Sequence, residues 1–87
     1  MKILKKFVAR RIMDETVLVP VGEAETKFDG LITLDDTALF IWEKLLSGSS
    51  RNQILHAVLE EYEVDEDAAA VDIDEFLNVL NNNGIIG

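Results

Sequence analysis

The apolar residues of this chain change their spacing once, after Thr33, and that single change limits the fold more than any other feature. Before it, short β-branched or apolar runs cover Phe7 to Ile12, Thr16 to Val21 and Phe28 to Thr33, separated by the turn-forming pairs Asp14-Glu15 and Gly22-Glu23. Three strands in a meander are expected. Pro20 has no N–H to give a ladder, so the second strand should end, bulge or bend there. Gly30 marks a bulge in the third run, or a place where another backbone comes close.

After Thr33 the helical period takes over. A first helix is expected from about Leu34 to Leu46, with Thr33 as N-cap and Asp35 and Asp36 in its first turn. Ala38, Ile41, Trp42 and Leu45 form one stripe, and Leu39, Phe40 and Leu46 widen it until little polar face remains, so this helix should be the central one. Ser47-Gly48 stops it. Ser50-Arg51-Asn52-Gln53 is a capping box that opens a second helix, Arg51 to Tyr62, with Ile54, Leu55, Val58, Leu59 and Tyr62 inward. Asp65 caps a third helix over Glu66 to Asn82, whose inward stripe is Ala69, Ile73, Phe76, Leu77 and Leu80. Gly84 ends it, and Ile85-Ile86 should lie back on the core or pair as a short strand. The fold class is therefore α+β, a winged helix-turn-helix-like arrangement with a three-stranded antiparallel sheet followed by three helices.

With 87 residues there is room for one core, so residues 1–87 read as a single domain. No cysteine is present to supply a disulfide or a thiolate ligand, and the 48% hydrophobic content must hold the fold alone. The lack of cysteine fits a reducing cytoplasm. The basic N-terminal residues run into Arg10 and Arg11 rather than a long apolar stretch, so no signal peptide is expected. Apolar runs such as Ala38 to Trp42 fall well short of the ~20 residues of a membrane span.

Chemistry is poorly provided for. The one histidine, His56, lies among Asn52 and Glu60 on the polar side of the second helix and reads as solvated. The acidic residues Asp65-Glu66-Asp67, Asp72, Asp74 and Glu75 lack the alternating ligands, central glycine and closing glutamate of a calcium loop. The cluster Phe40-Ile41-Trp42 has the helical spacing of core rather than of a cofactor pocket. Neither a catalytic site, a metal nor a cofactor is expected. Nucleic acid is an unsuitable partner as well. The net charge is -9, and the recognition-like third helix carries Glu66, Asp67, Asp72, Asp74 and Glu75 without one lysine or arginine. The same field favours a basic partner or peptide.

What remains is a sheet edge beside an amphipathic helix, a device suited to capturing an extended peptide by strand addition. In a 1-2-3 meander the third strand lies at the edge, where only Asp29 discourages pairing. The competing reading is a structural or regulatory interaction domain in which that edge pairs in a homodimer.

The run Gly30-Leu31-Ile32-Thr33-Leu34-Asp35-Asp36-Thr37-Ala38-Leu39-Phe40-Ile41-Trp42-Glu43-Lys44-Leu45-Leu46, with Glu60-Glu61-Tyr62-Glu63-Val64-Asp65, Asp74-Glu75-Phe76-Leu77 and Gly84-Ile85-Ile86, resembles the PqqD-like family. These are the peptide recognition elements of pathways to ribosomally made, post-translationally modified peptides. The resemblance covers about Val17 to Ile86; it departs at Asp35 and Thr37, where the family commonly has asparagine and glycine. It implies a non-catalytic module that takes a precursor's leader peptide as a further strand beside the third strand, leaning on the third helix. It also implies delivery to a modifying enzyme, often a radical S-adenosylmethionine enzyme. The peptide-binding residues expected on this basis are Leu31, Ile32 and Thr33 from the strand and Asp72, Phe76 and Val79 from the helix.

Overall fold

The computed structural model describes residues 2–4, 7–22 and 32–87. Among these, β1 (Phe7–Ile12), β2 (Glu15–Pro20) and β3 (Ile32–Leu34) form an antiparallel sheet in the order β1-β2-β3. Three helices follow, α1 (Asp36–Leu46), α2 (Arg51–Glu61) and α3 (Glu66–Asn82). This is the expected α+β order of strands and helices. The expected bulge at Gly30, the charge at Asp29 and the strand residues Phe28 to Leu31 lie outside the described residues.

β1 and β2 are joined by Met13 and Asp14, one residue earlier than the turn read from the sequence, and the register pairs Ile12 with Glu15. A two-residue connection suits the right-handed twist of the strands but requires positive φ, which Met13 supplies at 56°. The second strand ends at Pro20, opposite Phe7, where the missing N–H is tolerated. In β3, Leu18 pairs with Ile32 and Thr16 with Leu34, so Ile32 and Leu34 share the face that Ala9 and Leu18 turn to the core. Thr33 stands opposite Val17, on the other face, and is exposed.

Leu34 belongs to the strand and is buried, so the first helix cannot begin there. It begins at Asp36, and its N-cap is Asp35 rather than Thr33. The Asp35 carboxylate accepts the backbone N–H of Ala38 at 2.8 Å, while its carbonyl takes that of Leu39 at 2.9 Å. α1 is central, touching β3, α2 and α3. Ile41, Trp42 and Leu45 are buried, whereas Leu46, expected to widen the buried stripe, is 58% exposed at the last turn. The Trp42 indole N–H has no acceptor among the described residues. An orphaned donor costs about 1–3 kcal/mol, less than the ~4–6 kcal/mol gained by removing an aromatic side chain from water.

The helices close the core as their caps and stripes require. Ser50 and Gln53 make the reciprocal capping box of α2, and Asp65 accepts the N–H of Ala68 at the start of α3. α2 stops at Glu61, with Tyr62 as its extended C-cap. Ile54 and Val58 from α2 meet Ala69, Ile73, Leu77 and Leu80 from α3, while Phe76 is only partly buried against this cluster. Arg51 spans the two helices with a two-pronged ion pair to Asp74, Nε to Oδ1 and Nη2 to Oδ2, each 3.0 Å. Past Gly84, which adopts φ 68°, Ile85 and Ile86 are buried and Ile86 pairs antiparallel with Ile3. The end of the chain thus lies on the core and also pairs as a short strand.

Candidate functional site

β3 reaches the sheet edge with β2 on one side and, among the described residues, no strand on the other. Because β3 leads into α1 through the single residue Asp35, the strand's end, the first turn of α1 and the middle of α3 are drawn together. They enclose an open groove of about 330 Å³. Thr33 comes from the strand, Asp35, Thr37, Ala38 and Ile41 from the cap and inner face of α1, and Asp72, Glu75, Phe76 and Val79 from α3.

The α3 wall follows from helical spacing. Positions 72, 75, 76 and 79 are i, i+3, i+4 and i+7, so they lie along one side. That side adjoins the buried stripe of Ile73, Leu77 and Leu80 without coinciding with it. Phe76 serves both surfaces, partly buried against the core and lining the groove. Val79 is 42% exposed, an apolar side chain left open to the groove.

The groove is acidic at its walls and apolar at its floor. Asp35, Asp72 and Glu75 contribute carboxylates, and among the described residues none that lines the groove is basic. One oxygen of Asp35 is occupied by the Ala38 N–H. Among the described residues, Asp72 and Glu75 have neither an ion pair nor a side-chain hydrogen bond. Asp74 differs: the Arg51 guanidinium hydrogen-bonded to it holds its carboxyl below the usual carboxylate range. No three histidine, cysteine or carboxylate side chains among the described residues are grouped to hold a metal ion.

Of the six residues expected from the sequence, the groove brings together Thr33, Asp72, Phe76 and Val79. Ile32 is at the edge by its backbone, but its side chain packs against the core cluster. Leu31 lies outside the described residues. Sequence reasoning missed Glu75 and the α1 wall. Glu75 was signalled by its place between Asp72 and Phe76 on one helical side, and the α1 wall follows once Asp35, rather than Thr33, is the cap.

Comparison with known proteins agrees with the fold. No curated protein matches the chain significantly. The solved structure of TbiB1 in complex with the TbiA(beta) leader peptide is similar to it, with 30% sequence identity, a TM-score of 0.76, and coverage of 99% of this chain and 94% of that one. The family model described as coenzyme PQQ synthesis protein D (PqqD) matches residues 15–86. With a match that begins at the start of β2 and ends on the buried Ile86, the chain belongs to the PqqD family.

Proposed function

We propose that this chain is a non-catalytic recognition module that binds the leader segment of a ribosomally made precursor peptide. The observation that carries the reading is the open edge of β3 beside the groove walled by α1 and α3. The backbone of β3 on its open side supplies hydrogen-bonding groups for an added strand, and alternate side chains of that strand enter the groove against Asp72, Phe76 and Val79. The relative TbiB1, in a structure that contains a leader peptide, supports the assignment. Presentation of the held precursor to a modifying enzyme, of the radical S-adenosylmethionine type that the family resemblance implies, completes the role.

Val79→Trp tests it, because bulk added at an exposed position fills the groove without opening the core. A fluorescently labelled leader of a ribosomally made precursor peptide should bind the unaltered protein and lose at least tenfold in affinity on the variant, with the melting temperature unchanged. Equal binding to both proteins would place the peptide elsewhere. Light scattering that shows a dimer broken by the same substitution would favour the interaction-domain reading.

A further inference from the structure

We propose that the segment held in the groove carries a lysine or arginine two residues away from an apolar anchor, the cation meeting Asp72 and Glu75 and the anchor packing on Phe76 and Val79. This rests on the groove being the peptide site.

The α3 wall is divided by chemistry along its length. Its acidic pair, Asp72 and Glu75, precedes its apolar pair, Phe76 and Val79, and the midpoints of the two pairs lie four residues apart. On an α-helix that is about 6 Å. In an extended peptide, side chains on the same side recur every second residue, a repeat of about 6.6–6.8 Å. A basic residue and an apolar residue at positions i and i+2, in either order, therefore match the two halves of the wall.

Among the described residues, no cation pairs with the carboxylates of this wall. Asp72 and Glu75 stand three residues apart on one helix side, an arrangement of like charges that destabilises a helix. They lie beyond the first turn, where the helix dipole would favour them as it favours Glu66 and Asp67. Asp74, between them in sequence, is neutralised by Arg51 from α2. Among the described residues, acid on the side of α3 facing α2 is thus matched by a cation, and acid on the groove side is not. Asp35 adds a third carboxylate from the opposite wall. With an overall charge of -9, the approach of a cationic segment is also favoured at long range.

The test is a selection from a random nine-residue peptide library displayed on phage, run against the full chain, with Val79→Trp as the blocked-groove control. Binders that depend on the groove are expected to share a lysine or arginine two positions from Leu, Ile, Val or Phe. By fluorescence anisotropy, the consensus peptide should weaken about three- to tenfold on D72N/E75Q. Replacing its basic residue by glutamine should cost as much on the unaltered chain and little on the double variant. Binders that need the groove but show no basic preference, and that bind D72N/E75Q equally well, would overturn the inference and leave the proposed function standing. A selection that yields no groove-dependent binder would overturn both.

Discussion

Asp35 both caps α1 and lines the groove, and its two roles separate under substitution. In Asp35→Ala the Ala38 N–H loses the acceptor it now has at 2.8 Å. Loss of an N-cap of this kind costs about 1 kcal/mol, within a range of about 0.5–2. Unfolding entropy near the melting point is about 2.1 cal/mol/K per residue, so over 87 residues 1 kcal/mol corresponds to about 5 °C. Asp35→Asn keeps a carbonyl oxygen where the carboxylate was, and asparagine is as good a cap. It gives up only the charge interaction with the helix dipole, about 0.3–1 kcal/mol, or roughly 2–5 °C. Thermal melts followed by circular dichroism should rank the proteins as unaltered, then Asp35→Asn, then Asp35→Ala. Hydrogen exchange at the Ala38 amide should accelerate in the alanine variant far more than in the asparagine one. Unchanged melting and exchange in Asp35→Ala would refute the assignment of Asp35 as the cap and return that role to Thr33.

Ile73 is fully buried at the centre of α3, so Ile73→Ala should destabilise by about 2–5 kcal/mol, read from chemical denaturation. Met13 is 92% exposed with φ 56°, so Met13→Gly relieves left-handed strain of about 1–2 kcal/mol against a glycine entropy cost of about 0.5–1 kcal/mol. A small rise in melting temperature is expected, and a fall would count against strain at the turn. For the Arg51–Asp74 pair, the folded carboxyl of Asp74 is held below its unfolded value. Its contribution is therefore full above the ordinary carboxylate range and is lost as pH falls through the folded value. Arg51 is pushed upward and stays charged throughout. The stability difference between the unaltered chain and Asp74→Asn should be constant at neutral pH, shrink in acid, and shrink in high salt because the pair is exposed.

Local signals were the readable ones. The capping box at Ser50 and the cap at Asp65 fix helix starts within a few residues of sequence, and α3 spans Glu66 to Asn82 as its pattern requires. The start of α1 was ambiguous because Thr33 and Asp35 are both good caps. Pairing of Leu34 with Thr16 and burial of Leu34 decide it, and both depend on a strand distant in sequence. Ile3 against Ile86, and Arg51 with Asp74, are likewise contacts between residues far apart, which no local pattern announces. At the site, the strand edge could be read from element order, and Phe76 and Val79 were expected from the family resemblance at positions that share one helical side. Glu75 was legible by the same spacing, but its charge marked it as a solvated residue, and only the fold turns that side of α3 toward β3 and the cap of α1.

The most direct test of peptide capture at the edge is a titration of the isotope-labelled chain with a precursor leader peptide, followed by amide resonances and amide exchange. Binding by strand addition predicts shifts concentrated at Ile32 to Leu34 and at Asp72 to Val79, together with new exchange protection of an edge amide on β3. Shifts confined to β1, the exposed side of α2 or the paired termini, with the β3 amides unprotected, would contradict it.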